Sequence, residues 1–363
     1  MTAGLTHGAA PQPTGTGHRV AVIGPHILDV LGRPVESIPA GQGSARLTEI
    51  RATAAGTAAG TGVDLAKLGR SVRSIGAVGT DLLADILIAA LAAHGVDTGG
   101  LVRTAAAQTS ATILPIRPSG ERPALHVPGA TRLLRLADID LAGLAGYDAV
   151  LLGGPDALGG LSGADLGAVV AAAKGGGALV AIDVLHPGSE RDFARIGPAL
   201  SSADWFWPNA DQLLALTGRA DLDLAIKDVL ALGTGGVAVT LGADGCLVTS
   251  ADRTRMGAGV TSDDWTLTHI PAIAVDVVDT TGCGDGFDAG MLTGLLLGCN
   301  PADAAWLGVA CGALVATGLG SDAGLESLDQ VLDFLRTANA EVADRISTQA
   351  ITTQAITTEE QTA

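Results

Sequence analysis

Asp279-Thr280-Thr281-Gly282-Cys283-Gly284-Asp285-Gly286-Phe287 packs two carboxylates, two hydroxyls and a Gly-x-Gly turn into one short run. The Ala- and Val-rich run before it, Ile273 to Val278, reads as a strand. After it, Phe287, Met291, Leu292, Leu295 and Leu296 share one face at helical spacing. A glycine turn at a helix start aims several backbone N–H groups at one point and adds the positive end of the helix dipole. That is a place for phosphate. Asp285 at its mouth would repel a resting anion, but it can take a proton from a hydroxyl beside that anion. An anion cradle with an adjacent base reads as phosphoryl transfer onto an alcohol.

Outward from this turn, strand-like runs alternate with helical ones. Arg19–Ile23, Ser74–Val78, Ala149–Leu152, Leu179–Asp183, Trp205–Trp207 and Val237–Thr240 read as strands. Asp81–His94, Ala164–Lys174, Ala210–Thr217 and Asp223–Leu232 read as helices. The alternation predicts an α/β fold with a parallel sheet and helices on both faces. Two patches, 35–51 and 109–127, alternate apolar and polar residues instead, with Pro118-Ser119-Gly120 as a turn. They predict antiparallel strands outside the main sheet. Residues 1–18 and the repeat-bearing tail 344–363 carry too little apolar content to fold, so a single domain over 19–343 between disordered ends is expected. The uncharged stretch Ala304 to Ser321 is long enough for a membrane span. Gly308, Gly312, Gly318 and Gly320 interrupt it, and a buried helix is expected.

Composition narrows the function. Hydrophobic residues make up 47% and aromatics only 2%, so the core is built from Ala, Val, Leu and Ile. A formal charge of −17 argues against nucleic acid as a partner. Lys67, Lys174 and Lys227 are the only lysines, and none stands in a Gly-Lys-Ser/Thr context, which disfavours a P-loop. Cys246, Cys283, Cys299 and Cys311 form no Cys-x-x-Cys pair, so neither zinc nor a disulfide framework is expected. The first 18 residues hold no apolar run of the signal-peptide type, and the cytoplasm is the expected compartment.

The nine-residue run resembles the C-terminal signature of the ribokinase-like (PfkB-type) carbohydrate kinases, Asp-Thr-Thr/Asn-Gly-Ala/Cys-Gly-Asp-x-Phe. Weaker matches follow in the family's order: Gly24-Pro25-His26-Ile27-Leu28-Asp29, Leu68-Gly69, Ile75-Gly76-Ala77-Val78-Gly79-Thr80-Asp81, Gly95-Val96-Asp97-Thr98, Pro208-Asn209 and Thr240-Leu241-Gly242-Ala243-Asp244-Gly245. The resemblance covers roughly residues 19 to 336. It implies a three-layer α/β/α sandwich with a mainly parallel central sheet and a small β-sheet lid, here the two alternating patches. The lid covers the sugar and often mediates homodimerisation.

The resemblance also implies roles. Asp285 is the base that takes the substrate proton, and the N–H groups of Gly282, Cys283 and Gly284 receive the charge of the transferred phosphoryl. One such donor is typically worth ~3 kcal/mol in the transition state. Asp29 accepts from substrate hydroxyls, a task two ionised oxygens suit. Asn209, Thr240, Gly242 and Gly245 approach the ATP phosphates. Asp183 and Asn209 orient Mg²⁺ and its waters. Asp279 and Thr281 match positions that help hold a monovalent cation, implying K⁺, with Gly320 in the matching loop. Each has a plainer reading as a helix cap or tight turn.

One departure stands out. The family's Gly-Gly-x-x-x-Asn, which meets the sugar, is here Ala55-Gly56-Thr57-Ala58-Ala59-Gly60, so Gly56 and Gly60 contact substrate without the Asn side chain. The family's glutamate after Asn209 is Gln212. His126 lies at the end of the lid patch, where a lone histidine reads first as structural and contact with substrate is the alternative. A Mg-ATP-dependent kinase of a small sugar is the leading reading. The scarcity of aromatics disfavours a nucleoside kinase of the same fold, and the altered substrate loop keeps a catalytically weak ligand-binding member as an alternative. A nicotinamide dehydrogenase fails because no Gly-x-Gly-x-x-Gly follows the first strand.

Overall fold

The computed structural model describes residues 17–119, 121–251 and 265–362. In chain order the elements are β1 (Arg19–Ile23), β2 (Ile27–Arg33), β3 (Glu49–Ala55), α1 (Ala59–Lys67), β4 (Ser71–Gly79), α2 (Leu82–Ala93), β5 (Asp97–Thr104), β6 (Ala111–Pro115), β7 (Leu125–Val127), β8 (Ala149–Gly153), α3 (Gly163–Gly175), β9 (Leu179–Asp183), α4 (Glu190–Leu200), β10 (Trp205–Phe206), α5 (Ala210–Thr217), α6 (Leu222–Ala231), β11 (Ala238–Thr240), β12 (Cys246–Ala251), β13 (Trp265–Ile270), α7 (Cys283–Leu296), α8 (Pro301–Val315), α9 (Leu328–Ala338) and α10 (Ala340–Thr362).

The central sheet runs β10-β9-β8-β1-β4-β5, and its neighbours are parallel. Parallel bridges from Phe206 to Val237 and from Asn209 to Thr240 carry it on to β11, beyond which β12 and β13 pair antiparallel. Along β1, Val20 and Val22 join one core while Ala21 and Ile23 join the other, the period-2 alternation of a strand covered on both faces. After β1 the chain first builds outward through β4 and β5, then returns to add β8 to the other side of β1. That reversal opens a crevice at the carboxyl ends of the strands, where open α/β sheets bind ligands.

Glycine sets how tightly the last layer packs. A Cβ on Gly290 of α7 would lie 2.6 Å from the Leu307 carbonyl oxygen and 2.8 Å from Gly308 Cα, and one on Gly294 2.7 Å from Ala304 Cα. The two helices therefore touch backbone to backbone. This explains the uncharged, Ala- and Gly-rich stretch after Ala304 as one half of a close helix pair. Among the described residues no helix is long and apolar enough to cross a membrane.

The lid is a second sheet, β3-β2-β6-β7. Its position corrects the expected boundaries. β2, which lies outside both alternating patches, is the lid's inner strand, pairing antiparallel with β3 and parallel with β6. Residues 35–48 hold no strand; their alternation belongs to a mostly exposed loop. Leu31 buries against Leu114, Ile116 and Leu319 in a small core of its own, which fastens the lid to the loop after α8.

Two further expectations are revised. Ile273 to Val278 is irregular rather than a strand, held instead by the Val278 N–H on the Ala316 carbonyl. The tail from 344, expected to be disordered, lies in α10. Val342, Ala343, Ile346 and Ala350 fall on one stripe, all buried, and Arg345 pairs with Asp303 at 2.6 Å. The amino-terminal segment expected to be disordered lies, up to residue 16, outside the described residues, as does Gly120 of the expected turn.

Candidate active site

The glycine turn is built by Asp279. Its Oδ1 accepts from the Thr281 N–H at 3.0 Å and the Thr281 hydroxyl at 2.8 Å, and its Oδ2 accepts from the Gly320 N–H at 3.0 Å. Gly282 then takes a left-handed conformation, φ 82°, as the N-cap of α7. A side chain there would sit 2.5 Å from Ser321 Cα, so only glycine fits. Ser321 in turn donates to the Ala54 carbonyl at 2.8 Å, locking the turn to β3. A Cβ on Gly284 would meet nothing, and the residue lines the open cleft. Burial pushes the Cys283 thiol up to about 12, so it is not a thiolate nucleophile at neutral pH.

Asp285 follows in the first turn of α7, half-buried and lining a cleft of about 480 Å³. Thr61 at the start of α1 reaches its Oδ1 at 3.4 Å. Burial above all, aided by the charge of Asp29 and opposed by Thr61 and Arg122, lifts its carboxyl from 3.8 to about 7. Asp29 stands on lid strand β2 across the cleft, not at the end of β1. It is also lifted by burial, to about 6, and its Oδ1 is buried without a protein partner. An orphaned acceptor on a cleft wall asks for a hydroxyl donor. Gly56, φ 88°, lies beside it, 2.8 Å from the Pro25 carbonyl if given a Cβ. Gly60 faces Asp285 so closely that a Cβ would fall 2.8 Å from its Cγ.

At the far end, β9 delivers Asp183, and one turn beyond Asp285 α7 delivers Asp288. The two carboxyls are buried and feel each other, and both are pushed well above the usual carboxylate range, first by burial and then by the neighbouring charges. Asp183 also accepts from the Val184 N–H at 2.7 Å, while Asp288 Oδ2 is buried without a partner. Unpaired carboxylate oxygen in a carboxylate cluster fits a hard divalent cation such as Mg²⁺. Asn209 fits that role less well. Its Oδ1 accepts from the Gln212 N–H at 2.9 Å and Gln212 Oε1 accepts from the Asn209 N–H at 2.8 Å, a reciprocal cap on α5. Asn209 can therefore offer the cleft its amide NH₂, a phosphate donor rather than a metal ligand. Thr240 lines the cleft as well. Gly242, φ 60°, has open space around it but is not among the described residues that line the cleft, and Gly245 is pressed onto Ile270, Pro271 and Ala272 and serves the fold.

Sequence reading missed four residues that line or brace the cleft: Arg122, His186, Asp156 and Asp288. Arg122 comes from the lid, and its Nε donates to Thr280 Oγ1 at 3.2 Å. Asp156 follows β8 and gathers the Leu185 N–H, the His186 N–H and His186 Nδ1, each at 2.9 Å. Only Asp288 carried a local signal, since it is three residues after Asp285 on one helical face.

The chain was then compared with known proteins. A family model described as pfkB family carbohydrate kinase matches residues 18–328. The ribokinase of Haemophilus influenzae is 28% identical over 290 residues, 78% of this chain and 87% of that protein. The ATP-dependent ribose-1-phosphate kinase of Halopiger xanaduensis is 30% identical over 290 residues, 78% of this chain and 86% of that protein. Among solved structures, Arabidopsis thaliana ribokinase complexed with ribose and ATP superposes with a TM-score of 0.71 at 22% identity, covering 88% of this chain and 99% of the other. Fold, signature and family model agree, and the chain belongs to the pfkB family of carbohydrate kinases.

Proposed function

We propose that the protein transfers the γ-phosphoryl group of ATP to a hydroxyl of a small sugar-like acceptor, with Asp285 as the base. The observation that carries this is the pairing of a half-buried carboxylate, held near neutrality, with a helix-start glycine turn beside it. A base poised near pH 7 balances readiness to accept a proton against availability in the charged form. The orphaned Oδ1 of Asp29 orients the acceptor from the lid side, and the N–H groups of Gly282, Cys283 and Gly284 take up charge on the moving phosphoryl. The lid excludes water, which limits transfer to water instead of substrate.

Mg²⁺, when bound with ATP, offsets the charge of its terminal phosphates. Asp288, through Oδ2, and Asp183 are the residues suited to hold it. Asn209 and Thr240 lie at the strand ends where the phosphates would enter. A monovalent cation beside the turn leans on what Asp279 has left: three of its roughly four lone-pair sites are already taken.

A sugar is favoured over a nucleoside because Trp207 is the single aromatic among the described lining residues, and it is almost fully buried. The test is ATP consumption across a panel of sugars and nucleosides. Turnover on pentoses or hexoses supports the reading. Turnover confined to nucleosides replaces the acceptor class, and ligand binding without any turnover replaces the kinase with a binding protein.

A further inference from the structure

Arg122 stands out in this cleft. The chain is strongly acidic, and the cleft is lined by Asp29, Asp183, Asp285 and Asp288, yet Arg122 is the single Lys or Arg among the described lining residues. Other arginines are spent on carboxylates, as in Arg73 with Asp97, Arg103 with Asp85 and Arg345 with Asp303, or on backbone carbonyls, as in Arg195 with Pro155 and Leu161. Among the described residues Arg122 closes no such pair; its one hydrogen bond goes to the neutral hydroxyl of Thr280. Its guanidinium is therefore anchored at one nitrogen, with the rest of a bidentate fork still available.

His186 lines the same cleft, and Asp156, whose side chain is only 3% exposed, holds its Nδ1 at 2.9 Å. A buried carboxylate behind an imidazole fixes the ring, favours its cationic form and leaves Nε2–H as a donor. His186 is indeed raised above the ordinary histidine value, chiefly by this bond. His126, on lid strand β7 with Thr112 3.1 Å from its Nδ1, lines the same cleft, and burial followed by the charge of His186 holds it below the ordinary histidine value, as a neutral ring.

Building on the kinase reading above, we propose that Arg122 and His186, with His126 beside them, form a subsite for an anionic substituent of the acceptor, so that the acceptor is a sugar phosphate or a sugar acid rather than a neutral sugar. Arg122 and His126 belong to the lid that also carries Asp29, which orients acceptor hydroxyls, while His186 reaches the cleft from the loop after β9, whose Val184 carbonyl accepts from the Gln212 side chain that caps Asn209. A phosphate ester and a carboxylate share the chemistry that an Arg fork and an imidazolium recognise.

The experiment is calorimetric binding in the absence of ATP, using paired ligands: ribose with ribose 5-phosphate, fructose with fructose 1-phosphate, and glucose with gluconate. A non-hydrolysable ATP analogue is titrated separately. Wild type, Arg122→Gln and His186→Gln are compared, with unfolding temperatures as the folding control. The expected result is an anionic member bound about tenfold or more tighter than its neutral partner, as one charge-assisted contact allows. Arg122→Gln should abolish that preference and leave the analogue's affinity unchanged. The phosphate and gluconate arms tell the two anions apart. Equal affinity for neutral and anionic partners overturns the proposal. So does an Arg122→Gln defect confined to the ATP analogue, which would assign the arginine to the nucleotide. A turnover arm separates the two readings: anionic sugars that bind without ATP consumption sink the kinase and keep the subsite, while neutral sugars turned over equally by wild type and Arg122→Gln do the reverse.

Discussion

Gly60 and Asp285 occupy one space: a Cβ on Gly60 would lie 2.8 Å from Asp285 Cγ and 3.2 Å from its Cβ. The family carries Asn at the first position. This chain has given up a polar contact to substrate there, and the candidate base fills the room. Gly60→Ala is therefore expected to push Asp285 aside, because the rest of α1 is buried and cannot yield. A misplacement on the order of 1 Å costs about a hundredfold in turnover. Steady-state kinetics with the identified acceptor checks it. An Ala variant with wild-type kcat would show that Asp285 does not act from this position.

Asp285 also sets a pH dependence. Its carboxyl is raised from 3.8 to about 7, so the folded enzyme holds the proton more tightly than the unfolded chain does. Stability attributable to this group is full below pH 4, declines as pH rises through the gap, and reaches its lowest level above about 7. Activity runs the other way, because the base must be ionised: kcat/KM should climb through about pH 7. Asp285→Asn should lose about two decades or more of turnover. It should also unfold at a higher temperature than wild type at pH 8, with the gain shrinking toward pH 4. Melting curves and rate profiles over this range decide it, and a gain over wild type no larger at pH 8 than at pH 4 contradicts the burial argument.

Much of this was legible in the sequence. β1, β9 and α5 fall on their expected residues because unbroken apolar runs and a clean cap leave little choice. The glycine turn was legible because its chemistry is local. What escaped depended on partners distant in sequence. Ile27 to Leu31 is as apolar as a core strand, and nothing local says it belongs to the lid. Ile273 to Val278 has strand composition but no neighbouring edge to pair with. Arg122, Asp156 and His186 come from three separate connections and meet only because the strand order brings β8 beside β9 and swings the lid over both. The last helix was missed because the tail's sparse apolar residues are too few for composition, yet Ile346 and Ala350 extend the stripe that Val342 and Ala343 begin.

Asp279 invites a test with cations. Its carboxylate keeps about one lone-pair site, beside the Thr281 hydroxyl and the loop at Gly320. Replacing K⁺ by tetramethylammonium at constant ionic strength is expected to lower kcat and leave the fold intact, since the three protein donors still hold the turn. Equal rates in both salts would show that Asp279 acts as a brace alone.

The lid's outer face predicts self-association. Ala52, Val30, Ile113 and Leu125 lie directly opposite one another across all four strands. Ile113 and Leu125 are each 58% exposed, and Ile50 is 70% exposed. A sheet face this apolar is stable when covered. A dimer through the lid is expected in light scattering, and Ile113→Asp should shift it to monomer. A monomeric wild type, or a dimer indifferent to Ile113→Asp, removes the lid as the interface.

The final helix can be tested by two substitutions of one residue type. Ile346 is fully buried and shares its stripe with Val342, Ala343 and Ala350, while Ile351 is 69% exposed. If α10 is part of the folded domain, Ile346→Ala removes packed methylenes and leaves a void, which costs about 2–5 kcal/mol. Ile351→Ala removes the same atoms from water and should change stability by less than about 0.5 kcal/mol. Denaturant unfolding of the two variants measures the difference. A detached tail would make them equal, because neither side chain would then lose neighbours on unfolding. The contrast also bears on Asp303, which is buried at the start of α8 and keeps its Arg345 partner only while α10 stays docked.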